Sequence, residues 1–180
     1  MGSDSNSWQF VPCTFQAHAA PILAIFNEAI ANSTALYDYH QRTLGDMAAW
    51  FRSKVDHRQP VIGAVDATGQ LLGFASYGEF RVRPAYKYSV EHSLYVHVDH
   101  RGKGVGRALL REIIAAATAQ QYHLMVGGID ASNALSIRLH EQLGFSHAGT
   151  IAQAGFKFGR WLDLAFYQLL LPGPAHPVDG

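Results

Sequence analysis

The sequence predicts a mixed α/β protein built in layers, with helices on both faces of one sheet. Two observations predict it. Apolar residues recur at helical spacing in four separate segments, with short alternating or continuous apolar runs between them. The order of these segments is a first strand and helices, a β-meander, strand–helix–strand–helix, and two closing strands, which suits sheet-centred layers.

The first helix is predicted from about Ala17 to Ala31, where Ile22, Ile25, Phe26, Ala29 and Ile30 follow helical spacing. The second runs from about Leu44 to Lys54, with Met47, Trp50 and Phe51 along one side. Val61 to Val65 and Leu71 to Tyr77 are predicted strands, joined by Asp66-Ala67-Thr68-Gly69-Gln70, whose glycine supplies the positive φ of a tight hairpin. A basic, aromatic loop follows, Gly78 to Tyr88. Glu91 to Val98 is predicted as a strand, Lys103 to about Gln120 as a helix and His123 to Ile129 as a strand. Asn133 to Leu143 is a helix stopped by Gly144, and Phe145 to Gln153 and Trp161 to Leu171 close the chain as strands.

A chain of 180 residues suits one domain, expected over residues 8–172, that buries roughly 70% of its unfolded surface. Met1 to Ser7 is a polar tail, and residues 173–180, in a stretch rich in proline and glycine, form a second loose tail. Fourteen basic residues balance fourteen acidic ones, and charged residues are only 16%, which argues against a general nucleic-acid-binding surface. The lone Cys13 cannot form an internal bridge, and there is neither a secretory leader nor an apolar stretch long enough for a bilayer. A cytoplasmic protein, with no membrane or nucleic-acid partner, is expected. The ten histidines show no H-E-x-x-H pairing, so no metal is assigned.

The chemistry is concentrated at Arg101-Gly102-Lys103-Gly104-Val105-Gly106-Arg107, where a strand must turn into a helix. Such a turn aims several backbone N–H groups at one place, with the positive helix end behind them, and an anion suits that place. A mononucleotide P-loop needs a Lys-Ser/Thr pair that is missing, and a dinucleotide fingerprint needs a third glycine where Leu109 stands. A plain tight turn is the alternative.

Arg101 to Gly106 resembles the R/Q-x-x-G-x-G/A motif of the GNAT superfamily of N-acetyltransferases. Asn133-Ala134-Leu135-Ser136 with His140-Glu141-Gln142-Leu143-Gly144-Phe145 is similar to that superfamily's N-x-x-A/S…(Y/H)-E-x-L-G-F helix. The resemblance spans Trp8 to Leu171 and implies a central, splayed mixed sheet. Ala75 to Arg81, Val90 to Val96 and Gly155 to Asp163 look like the phosphinothricin and methionine sulfoximine N-acetyltransferases, small dimeric bacterial enzymes. What this implies is a homodimer that moves acetyl from acetyl-CoA to the α-amine of a small glutamate-like amino acid.

Within that resemblance, the amides from Gly102 to Arg107 grip the pyrophosphate, and the backbone of Leu94, Tyr95 and Val96 pairs with the pantetheine arm. Glu91 is the candidate base, working through a water molecule, because an ammonium must lose a proton before it can attack a thioester. It shares a strand face with Ser93 and Tyr95 by period-two alternation; an edge glutamate facing water is the plain alternative. Asn133, Ser136 and His140 share one helix face, while Leu135, Leu139 and Leu143 form a separate apolar stripe expected to pack inward. Asn133 is also a natural N-cap. His140 stands where many relatives carry tyrosine, as acid, base partner or orienter of the cofactor. Arg81, Val82, Arg83 and Tyr86, with His92 and Ser93, are the expected acceptor contacts, since arginine forks match carboxylates and phosphinates. Leu36, Tyr37 and Tyr39 are a candidate pocket wall, and Lys157, Phe158, Arg160 and Trp161 are candidates to close it. The same fold also serves protein N-termini or polyamines, and a non-catalytic acyl-CoA sensor or a nucleotide binder are the readings from other classes.

Overall fold

The computed structural model describes residues 8–179; Gly180 and the polar tail predicted for Met1–Ser7 lie outside them. The elements are β1 (Trp8–Pro12), α1 (Phe15–Asn32), α2 (Leu44–Asp56), β2 (Val61–Asp66), β3 (Leu71–Glu79), β4 (Ser89–Val96), α3 (Val105–Ala119), β5 (Leu124–Asp130), α4 (Ala134–Glu141), β6 (Ser146–Lys157) and β7 (Arg160–Leu170). The predicted order holds throughout.

Local chemistry sets the ends. Thr14 caps α1 by accepting from the Ala17 amide, and Thr43 and Asp46 cap α2 reciprocally. β4 ends at Val96, two residues earlier than predicted. There the His97 ring accepts from the Asp99 amide and turns Val98–His100 into a single 3₁₀ turn. Helix α3 opens at Val105 rather than Lys103, because Gly102 and Gly104 lie at φ +75° and +86°, outside helical space.

The strands form one sheet in the order β1-β2-β3-β4-β5-β7-β6. Every neighbouring pair is antiparallel except β4 and β5, whose connection crosses over through α3. Helices α1 and α2 cover one face, where Ile22, Ile25, Phe26, Met47 and Phe51 pack on Val61, Leu71 and Phe74. Helix α3 covers the other with Val105, Leu109, Leu110 and Ile113 against Leu72, Ala75, Tyr77 and Met125. Alternate residues of β3 thus serve two cores, which is why this strand is apolar almost throughout.

The pairing of β4 decides the rest. On its β3 side it is continuous, from Gly73↔Val96 to Glu79↔Val90. On its β5 side it covers only Ser89↔Leu124, Val90↔Met125 and Glu91↔Val126. Beyond Glu91 the two strands part, and β5 continues against β7. The C-terminal segment after β7 has no regular structure, although the Val178 amide donates to the Tyr88 hydroxyl at 3.2 Å.

The continuous side of β4 depends on a close approach at Gly73, where an added Cβ would stand 2.8 Å from the Tyr95 carbonyl oxygen and 3.1 Å from the Val96 Cα. Both are backbone and cannot swing away. Gly73→Ala is therefore expected to destabilise the fold by about 1–3 kcal/mol, read as a lower urea midpoint at unchanged slope; an unshifted midpoint would show that the two strands have slack.

Candidate active site

The gap left by the parting strands opens two cavities that share Ala35, Leu94, Tyr95, Asn133 and Ser136. One, of about 490 Å³, runs along Leu94, Tyr95, Val96, Arg101, Gly102, Gly104, Gly106 and Arg107, with Leu135 and Leu139 across from them. The other, of about 470 Å³, lies deeper and contains Glu91, His92, Ser93, Lys54 and His140, walled by Thr34, Ala35, Leu36 and Tyr37 from the α1–α2 connection. The two form one channel past the C-terminal half of β4.

Among the described residues, no amide from Gly102 to Arg107 donates to a group of the chain. They belong to the turn and the first turn of α3, which carries no side-chain cap, so they concentrate donor capacity and helix-end charge on the first cavity. Arg101 bridges the Val96 carbonyl, at 3.1 Å from its Nε, and the Glu28 carboxylate; Arg107 bonds Gln142. Val105 buries its side chain in the core and can offer only its amide, while Lys103 is exposed. Tyr95 likewise packs its ring on Phe26 and Phe74, at 5.1 and 5.6 Å between centroids, leaving backbone groups for the channel.

Glu91 is half-buried where the strands part. Burial raises its carboxyl pKa above the ordinary value, opposed by the charge of Arg81. Room for it comes from Gly128 of β5, where a Cβ would approach Glu91 Oε1 to 3.0 Å. The neighbouring glycine, Gly127, does the same on the other face: a Cβ there would lie 2.8 Å from His92 Nε2 and 3.2 Å from His140 Nε2. Two successive glycines inside a strand are a legible sign of close approach on both sides.

His92 and His140 stack, with centroids 5.0 Å apart and planes at 21°, and Phe145 meets both rings edge-on. Their Nε2 atoms are 3.0 Å apart, and His140 Nδ1 lies 2.7 Å from the Ser136 carbonyl oxygen. A carbonyl only accepts, so His140 carries its proton on Nδ1 and its Nε2 is bare. His92 must then donate through Nε2–H, and its own Nδ1 is left buried without a partner among the described residues. Burial holds both rings below the ordinary histidine range, and His92 falls to about 3. The pair is neutral, and His140 has no N–H free to donate.

Other expectations meet the structure unevenly. Asn133 caps α4 by accepting from the Ser136 amide at 3.1 Å, and both residues border the channel. The apolar stripe predicted to pack inward is corrected at one end. Leu139 and Leu143 touch the core, but Leu135 is 75% exposed, because the first turn of this short helix stands at the channel mouth; the buried residue of α4 is His140. Arg81, Val82, Arg83 and Tyr86 border a separate cavity of about 210 Å³, and Arg81 folds back to donate to the Phe80 carbonyl oxygen and to sit over that ring. Leu36 and Tyr37 do wall the deep cavity, and Tyr39 braces the wall by donating to the Phe156 carbonyl oxygen at 2.6 Å. Lys157 holds the same connection through the carbonyl oxygens of Ser33 and Leu36, at 2.9 and 2.7 Å. Lys54 and the buried Asp130, which bonds Ser132 and Arg160, border the cavity without having been anticipated; the regularity of α2 hides the one and the end of β5 the other.

Comparison with known proteins agrees with this geometry. The sequence profile described as Acetyltransferase (GNAT) family matches residues 23–145. An L-methionine sulfoximine/L-methionine sulfone acetyltransferase of Pseudomonas aeruginosa is 47% identical over 150 residues, covering 83% of this chain and 87% of that protein. The structure of ACIAD1637 from Acinetobacter baylyi ADP1 superposes with a TM-score of 0.96 at 58% identity, over 100% of both chains. A phosphinothricin acetyltransferase from Sinorhizobium meliloti, crystallised with AcCoA, gives 0.90 at 34% identity, over 95% of this chain and 92% of that one.

The neutral histidine pair carries a pH signature. Below about pH 6.5 an unfolded chain protonates these rings, whereas the folded chain resists, His92 down to about 3. Their contribution is complete above pH 6.5 and is lost progressively as pH falls toward 3, at up to about 1.4 kcal/mol per pH unit for each proton. His92→Phe should flatten this acid limb in urea titrations run from pH 7 to 4; an unchanged slope would mean that His92 titrates normally in the folded state.

Proposed function

This chain belongs to the Acetyltransferase (GNAT) family, and we propose that it moves acetyl from acetyl-CoA directly to the α-amine of a small glutamate-like amino acid: methionine sulfoximine, methionine sulfone or phosphinothricin. The observation that carries the reading is the parting of β4 from β5 just beyond Glu91, which joins a seat of unpaired amides to a cavity containing a carboxylate.

The seat fits a diphosphate. Amides from Gly102 to Arg107 supply donors, and Arg101 and Arg107 flank them with charge. The unpaired edge of Leu94, Tyr95 and Val96 suits the amide groups of a pantetheine arm, and Asn133 and Ser136 face it from α4. Acetyl-CoA supplies the thioester. Glu91, with its carboxyl pKa raised, takes the proton from the incoming ammonium, directly or through water, so that the nitrogen lone pair can attack. The acetyl carbon gains its bond to nitrogen and loses its bond to sulfur, and the departing thiolate takes up the second proton that the nitrogen sheds as the amide forms. His140 orients: locked between Ser136 and His92, it holds α4 against β4 at the width the channel needs. His92 and Ser93 belong to the acceptor side of this proposal, whereas Arg81, Val82, Arg83 and Tyr86 border the separate cavity and reach this one through the Arg81 charge on Glu91. A homodimer, as the resemblance implies, working in the cytoplasm, completes it; no helix among the described residues is long and apolar enough to cross a membrane.

Thiol release measured with the three amino acids should show turnover on at least one; silence on all three beside activity on another amine would refute the acceptor class. Glu91→Gln should lower kcat about a hundredfold or more and abolish the acid limb of the rate profile, which depends on a deprotonated carboxylate. Gly104→Ala puts a side chain at φ +86° and should raise the acetyl-CoA KM roughly tenfold or more through strain at the seat, leaving the acceptor KM unchanged.

A further inference from the structure

The charges around the deep cavity are unequally matched. Its lining includes three carboxylates, Glu79, Glu91 and Asp130, and a single lysine or arginine, Lys54. Asp130 is bonded by Arg160, and Glu91 feels Arg81. Lys54 has no carboxylate within ion-pair reach among the described residues. Its ammonium donates to the Tyr77 carbonyl oxygen at 2.6 Å and to Gln59 Oε1 at 3.3 Å, and lies 5.6 Å from the centre of the Trp50 ring. All three partners are neutral. Two of its three N–H groups are used, and the third is free.

The ammonium is also well placed. Gly78, the residue opposite Glu91 in the β3–β4 pairing, has no side chain, and a Cβ there would lie 3.6 Å from Lys54 Nζ. Lys54, reaching from α2 over Gly78, and Glu91, paired with Gly78, therefore address the same cavity side by side. Lys54 also borders an apolar cavity of about 420 Å³ beside Cys13 and Val61, but no carboxylate lines that one. Keeping a cation buried among neutral groups is costly, and the cost shows as a pKa drawn down to about 8. A counter-charge brought by a ligand removes that cost.

We propose that Lys54 is a specificity-determining contact that receives an anionic oxygen of the acceptor, a carboxylate or a phosphinate, while Glu91 receives the proton of its ammonium. This rests on the acetyltransferase reading above and names the group that selects an acidic amino acid over a bare amine. It also gives the acceptor's anion a partner other than the Arg81–Lys87 loop, whose arginines border a different cavity.

The test is steady-state kinetics of the full chain and of Lys54→Met and Lys54→Arg, with methionine sulfone, methionine sulfone amide and phosphinothricin as acceptors. Lys54→Met should raise the acceptor KM roughly tenfold or more, with the acetyl-CoA KM unchanged and kcat within about threefold; Lys54→Arg should recover most of the loss. A loss with both acids and not with the amide assigns the carboxylate, whereas a loss confined to phosphinothricin assigns the phosphinate. An unchanged KM for both acids, or an acetyl-CoA KM that rises in step, overturns the proposal. Should the variants fail to fold, titration of the wild-type Lys54 ammonium by NMR replaces them: saturating acceptor should raise its pKa, and an unmoved pKa overturns the proposal equally. Wild-type inactivity on every acceptor would instead sink the acetyltransferase reading itself.

Discussion

Every feature of the site depends on where β4 stops pairing with β5. A strand buried in a sheet normally satisfies its backbone on both sides, and unpaired amides and carbonyls away from water are expensive. Here β4 gives up one side after Glu91 while keeping the other to Val96. The break survives because its two margins are anchored independently: β5 continues along β7, and β4 is held to β3 by the close contact at Gly73. The released edge becomes a row of hydrogen-bonding groups waiting for a partner of similar chemistry, and a chain of amides such as pantetheine meets that requirement.

Electrostatics then divides the opening by depth. Near the surface, the α3 terminus and two arginines present positive potential to an anion. Deeper, burial pushes each ionisable group toward its neutral form: Glu91 upward, Lys54 to about 8 and His92 to about 3. The histidines complete the trend by sharing one proton-bearing contact without carrying charge. Low polarity at depth makes a carboxylate a stronger base, and makes every uncompensated charge sensitive to what binds.

Much of this was legible in the chain. Helical spacing located α1 and α2 within two residues at their ends, and the glycines of Arg101–Gly106 placed the turn that leads into α3. Glu91 stood out because a carboxylate in an apolar strand needs a reason. What stayed hidden depends on distance in the sequence. Nothing local links His92 to His140, 48 residues on, or Lys157 to Ser33, 124 residues back. Lys54 lies on a helix whose apolar side is plain, and only the packing of α2 on β3 turns its ammonium toward the cavity that holds Glu91. Leu135 misled for the opposite reason: its spacing is that of a core residue, but the helix is too short to carry a buried stripe to its first turn.

The clasp of Lys157 and Tyr39 onto neighbouring segments has a consequence for how such a protein diversifies. The free amides from Gly102 to Arg107 are main chain, which substitution scarcely alters, whereas the wall of the other cavity presents side chains and is pinned from the distant β6–β7 hairpin. Because Lys157 grasps main-chain oxygens, the side chains between Ser33 and Leu36 can be substituted without releasing the wall they form.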